Sequence, residues 1–94
     1  MSYAVEIGQT GRGGTIHYSE RGSVFSFDWE FAINGVDMFV PTPEQWDAYC
    51  ESRGAFWAQG KRRELLARVA EEVRRQKAAS AVVTIEDNWV HFAF

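Results

Sequence analysis

Trp29-Glu30-Phe31-Ala32-Ile33-Asn34-Gly35-Val36-Asp37-Met38-Phe39-Val40 is the stretch whose reading decides the fold. Apolar and polar residues alternate on both sides of Asn34-Gly35. That dipeptide favours a type I′ hairpin turn, because both residues tolerate positive φ. With Asn34-Gly35 as a two-residue loop, Ile33 faces Val36, Phe31 faces Met38 and Trp29 faces Val40. All six are apolar and share one face, and a one-residue slip would turn each of them to the other side. The same register points Phe39 to the polar side, opposite Glu30.

Upstream, Arg21-Gly22 serves as a second turn. Tyr18 then faces Phe25, Ile16 faces Phe27, and Gly14 faces Trp29, where a missing side chain leaves room for the indole. A strand at about 3–7 offers Tyr3, Val5 and Ile7 to the same face, and the glycine-rich run 8–14 joins it to the next strand as a loop or loose hairpin. Downstream, Asp87-Asn88 makes a third turn, with Ile85 facing Val90, Val83 facing Phe92 and Ala81 facing Phe94.

Two helices are expected between these strands. Thr42-Pro43-Glu44-Gln45 opens the first, with Thr42 as cap, Pro43 in the first turn and Gln45 in the capping-box position. Trp46, Tyr49 and Cys50 fall on its inner side; Glu44, Asp47 and Glu51 fall on its outer side, and Gly54 ends it. The second helix spans about 58–78. Leu65, Leu66, Val69, Ala70 and Val73 recur at helical spacing, while Glu64 with Arg68 and Glu71 with Arg75 form i,i+4 pairs. The order β-β-β-β-α-α-β-β specifies a single α+β domain over residues 1–94. Its antiparallel sheet carries the long amphipathic helix across one face. The edge that the last hairpin joins is not given by the pattern, and residues 89–94 or 3–7 stand as candidate exposed edges for a homodimer.

Composition narrows the function classes. The chain has 94 residues, a net charge of −3 and abundant aromatics, which let a short chain build a core. One cysteine, Cys50, forms neither an internal disulfide nor a multi-cysteine zinc site. It fits a reducing compartment, and with neither a signal peptide nor a long apolar run the expected location is the cytoplasm. Charge is uneven: residues 1–52 hold two arginines and eight carboxylates, whereas residues 53–77 hold eight basic residues and three glutamates.

No catalytic or metal-binding constellation emerges, so no enzyme, cofactor or metal is expected. The run Gly8 to Gly14 leads into a strand, not the helix a phosphate loop needs. His17 lies opposite Ser26 and diagonal to Asp28; His91 lies opposite Thr84. Neither has a third partner, and any hidden enzymatic site belongs to His17, Asp28, Glu30 and His91. Cys50 is at the wrong end of its helix for an activated thiolate. Basic residues of 61–77 offer an alternative nucleic-acid or regulatory surface, weakened by Glu64, Glu71 and Glu72 and by the acidic remainder. The more suggestive set is acidic and aromatic. Asp37, Phe39, Glu44, Asp47, Glu51, Phe56 and Trp57 read as contact residues for a basic protein partner, with charge speeding encounter and rings supplying anchors.

The run Ile16-His17-Tyr18-Ser19-Glu20-Arg21-Gly22, followed by Glu30, Met38-Phe39-Val40 and Pro43-Glu44-Gln45-Trp46, resembles small α+β immunity proteins of bacterial polymorphic toxin systems. The segment from Glu64-Leu65-Leu66 to Val73-Arg74-Arg75-Gln76-Lys77 is similar to their charged helix. The resemblance covers about residues 14–86 and departs at Cys50 to Gly60, which is longer and more aromatic, and at a second C-terminal strand. It implies no catalytic residues. It implies a cytoplasmic protein that neutralises a toxin by binding it.

Overall fold

The computed structural model describes residues 2–94. Alternation of apolar and polar residues produces six strands: β1 (Tyr3–Thr10), β2 (Gly13–Glu20), β3 (Ser23–Ala32), β4 (Gly35–Phe39), β5 (Val82–Ile85) and β6 (Trp89–Ala93). Two helices, α1 (Pro43–Ser52) and α2 (Arg62–Lys77), lie between β4 and β5 with a short 3₁₀ turn, Phe56–Ala58, between them. The strands form one antiparallel sheet in the order β1-β2-β3-β4-β6-β5. This is the α+β architecture that the alternation and the helical stripe specify.

Pairing of β2 with β3 follows the sequence reading, with Tyr18 opposite Phe25, Ile16 opposite Phe27 and Gly14 opposite Trp29. Arg21 and Gly22 both take positive φ, as a tight hairpin turn requires. The indole of Trp29 donates to the Gly8 carbonyl at 3.0 Å. A Cβ on Gly14 would sit 1.9 Å from that same oxygen, so only glycine lets the indole and β1 meet there. The run 8–14 is shorter as a loop than expected. Strands β1 and β2 extend through it and turn at Gly11-Arg12.

The β3–β4 register differs by two residues. Trp29 pairs with Met38 and Phe31 with Val36, so the turn lies at Ile33-Asn34 and Ile33 stands 98% exposed at its tip. A two-residue slip preserves every side chain's face, so alternation does not discriminate between the two registers. Gly35 is drawn into β4 instead, where a Cβ would meet the Phe92 carbonyl at 1.8 Å. Close contact with β6, not turn geometry, explains the glycine. Glu30 accordingly faces Asp37, and Phe39 faces Trp89 of β6. Strand β6 is interior; the edges are β1 and β5, which corrects the expectation that 89–94 is an edge.

Thr42 caps α1 as predicted. Its hydroxyl accepts from the Gln45 N–H, and the Gln45 side chain accepts from the Thr42 N–H. Trp46 and Cys50 are buried by this helix, and the Trp46 indole donates to the Ala58 carbonyl at 2.9 Å. Helix α2 begins at Arg62, later than predicted, because Phe56–Ala58 forms the separate 3₁₀ turn. Its stripe Leu65, Leu66, Val69, Ala70 and Val73 is buried against the sheet, and it touches β1 at one edge and β5 at the other. Phe25 is the hub of the aromatic core, with ring centroids of Tyr18, Trp46, Tyr49 and Trp57 all near 6 Å.

Strand β3 outruns β4, whose partners on it are residues 29–32. Helix α1 covers the bare part. The Tyr49 hydroxyl accepts from the Ser26 N–H at 2.9 Å and donates to the Ser26 carbonyl at 3.1 Å, so one side chain replaces a strand's backbone partners.

Candidate functional site

The helices pack on one face of the sheet and leave the other open. Side-chain alternation along the strands assigns that open face. It carries Glu6 from β1, His17 from β2, Asp28 and Glu30 from β3, Asp37 and Phe39 from β4, and Trp89 and His91 from β6. Carboxylates supply all the formal charge at its strand positions; no lysine or arginine is among them. Phe39 and Trp89 are directly opposite one another, 41% and 40% exposed. Directly opposed side chains on one face of an antiparallel pair have Cβ atoms about 4.5–5.5 Å apart, so the two exposed rings are neighbours on the open face. Beside them runs a polar row across four strands: Glu30, Asp37, His91 and Thr84.

Within that row His91 Nδ1 lies 2.5 Å from Asp37 Oδ1. On the other side of the face, His17 Nδ1 lies 3.0 Å from Ser26 Oγ, and Thr15 reaches Asp28 at 3.5 Å. The two imidazoles thus have separate partners. His91 is held by Asp37, which the sequence reading had grouped with α1 and not with His91. Among the described residues no group of three or more His, Cys, Asp or Glu side chains is placed to hold a metal ion.

The seven predicted contact residues do not form one surface. Asp37 and Phe39 are on the open sheet face. Glu44, Asp47 and Glu51 are exposed on α1, as its periodicity predicted, but Asp47 has structural work. Its carboxylate accepts from the Gly60 N–H at 2.9 Å, and its carbonyl accepts from the Gln59 side chain, so it ties α1 to the segment that follows. Phe56 is displayed, 61% exposed. Trp57 is not: its indole donates to Ser23 Oγ at 3.3 Å, its ring meets Phe25 edge-on, and the Arg21 guanidinium covers it at 5.2 Å. A tryptophan in a short loop reads as a displayed anchor only until the core it plugs is known.

Trp89 is the functional candidate that sequence reasoning missed. The phase of Val90 and Phe92 already turned it outward. Phe39 was already placed outward, but its pairing with Trp89 stayed hidden, because both helices lie between β4 and β6 in the chain.

The basic residues of α2 are largely engaged. Arg62 donates to the carbonyls of Pro41, Glu86 and Asp87, clamping the β5–β6 turn. Arg74 binds Glu71 and Arg75 binds Glu72, both at i,i+3, in place of the predicted Glu71–Arg75 pair. The predicted Glu64–Arg68 contact is present at 3.6 Å, but Arg68 makes a closer one, 2.7 Å, to Glu20. Glu20 ends β2 on the inner face with its side chain 1% exposed. The Tyr18 hydroxyl donates to the same carboxylate, and burial followed by that carboxylate pushes the Tyr18 hydroxyl up to about 12. Burial, aided by the charge of Asp47, pushes the Cys50 thiol up to about 11, which keeps it a protonated core residue at neutral pH.

Compared with known proteins, the chain matches no family model, no curated protein and no solved structure. No helix among the described residues is long and apolar enough to cross a membrane.

Proposed function

We propose that this protein is a non-enzymatic binding module whose docking surface is the open face of the sheet and whose partner is a basic protein surface. The observation that supports this most is the Phe39–Trp89 pair, exposed on a helix-free face whose formal charges are all carboxylates. Aromatic side chains carry much of the energy at protein interfaces, and like charges around them steer an oppositely charged partner and reject others. The same face repels a phosphate backbone, and four of the arginines of α2 already have partners, which favours a protein over a nucleic acid. A toxin domain bound by an immunity protein, as the sequence resemblance implies, is one partner of this chemistry. In that reading Asp37, His91 and Glu30 form the polar rim of the contact. Glu44 and Glu51 add long-range attraction, and Asp47 and Trp57 hold the scaffold.

The test is titration with the protein encoded beside this reading frame, followed by calorimetry in two salt concentrations. Phe39→Ala and Trp89→Ala each weaken binding by about thirtyfold if they are interface anchors. Glu30→Lys with Asp28→Lys slows association and removes most of the salt dependence. Binding that is indifferent to all four changes, or no binding, overturns the assignment.

A further inference from the structure

The helix-bearing face of the sheet is not fully covered. Toward the C-terminal end of α2 a cavity of about 310 Å³ opens between helix and sheet. Its floor is Ile16, Trp29, Val36 and Phe92, drawn from four different strands, and Val73 of α2 and Ala78 just beyond its end close it from above. This volume is at the lower end of the roughly 300–1,000 Å³ typical of small-molecule sites, and such sites are mostly apolar with a few polar groups that orient the ligand. The floor offers almost no polarity of its own, because the one polar atom of Trp29 is spent on the Gly8 carbonyl. Phe31 and Phe94 stand at the mouth, both more than two-fifths exposed.

Polarity enters at the rim. Lys77 lines the opening, and among the described residues it makes no ion pair, unlike Arg68, Arg74 and Arg75 on the same helix. An uncommitted ammonium beside a deep apolar floor selects a molecule with an apolar body and one anionic end. We propose that this cavity is a binding site for a medium-chain carboxylate, with the hydrocarbon chain between Val73 and the sheet and the carboxylate at Lys77. Gln9, on β1 at the same rim, donates one amide N–H to the Gly11 carbonyl at 3.1 Å and has a second N–H to offer that end. The site is on the opposite face from the Phe39–Trp89 patch, so it stands or falls independently of the partner-binding role.

Calorimetric titration of the whole chain with decanoate and with decanol, below their aggregation concentrations, tests this. Decanoate is expected to bind saturably with one site and about twofold to fivefold more tightly than decanol, the worth of one exposed ion pair. Lys77→Gln abolishes that preference and leaves decanol binding unchanged. Val36→Phe and Ile7→Phe, both at half-buried lining positions, fill the cavity and abolish binding of either probe. Circular dichroism and thermal melting establish which of the two variants is folded. Absence of saturable binding, equal affinity for the two probes, or native affinity in a folded cavity-filling variant each overturns the proposal.

Discussion

Arg68→Met takes away the cation that holds a carboxylate inside the protein. In the native chain Glu20 is almost fully enclosed and has three partners: the Tyr18 hydroxyl, Arg68 Nη1 at 2.7 Å and Arg21 Nε at 3.5 Å. The Tyr3 ring lies over the Arg68 guanidinium at 5.2 Å, which keeps the head group in place. Removing one member of a buried pair costs about 3–5 kcal/mol, because the other charge is left enclosed without compensation. Arg68 is itself 24% exposed, and Tyr18 and Arg21 remain with Glu20, so the lower end applies, about 3 kcal/mol. For a domain of this size each kcal/mol shifts the melting temperature by about 4–8 °C, giving a fall of about 12–24 °C. Methionine keeps much of the hydrocarbon stem, so the loss reports charge more than packing. The assay is urea unfolding followed by tryptophan fluorescence on Arg68→Met, Glu20→Gln and the double variant. Glu20→Gln added to Arg68→Met is expected to recover more than about 1 kcal/mol, since a neutral amide tolerates enclosure better than an unpaired carboxylate. A single Arg68→Met change costing under about 1 kcal/mol, or strictly additive effects, would refute the reasoning.

Three further outcomes follow from the same structure. Gly14→Ala places a methyl 1.9 Å from the Gly8 carbonyl and breaks the Trp29 hydrogen bond, so it should cost upwards of about 2 kcal/mol in the same urea assay; a near-neutral effect would contradict the described register. The Tyr18 hydroxyl is raised from 10.0 to about 12 in the folded state, so its contribution to stability is complete below pH 10 and is lost as pH climbs toward 12. The stability difference between the native chain and Tyr18→Phe should therefore shrink over that window, and a flat difference would count against it. Cys50, raised to about 11 by burial, should react with a thiol reagent at pH 8 only as fast as the protein unfolds; rapid labelling of the native protein would show the thiol to be accessible.

Much of the fold was legible in local sequence. Two of the three turn dipeptides, Arg21-Gly22 and Asp87-Asn88, give the observed pairings directly, because alternation and turn chemistry agree. Asn34-Gly35 gave the right faces and the wrong register, since a two-residue slip leaves the apolar pattern intact and the fit of Gly35 against Phe92 is a contact across the sheet. What lay beyond local reading was long-range pairing. The insertion of β6 beside β4 puts Trp89 against Phe39 and makes the candidate surface, yet fifty residues separate the two rings in the chain. Glu20 shares the phase of Ile16 and Tyr18 and so was bound to face inward, but its cation comes from α2. The Tyr49 hydroxyl that finishes β3 is invisible for the same reason: its partner is a stretch of backbone that only the assembled sheet leaves bare. The acidic residues of α1 were rightly placed outward, and only the structure shows that one of them, Asp47, is committed to Gly60.

Hydrogen–deuterium exchange with and without the proposed basic partner is the most direct test of the proposed docking surface. Protection should concentrate in β4 and β6, at Asp37–Phe39 and Trp89–His91, with α2 unchanged. Protection confined to α2 or to α1, with both strands exchanging as in the free protein, would contradict the assignment of the open sheet face as the docking surface.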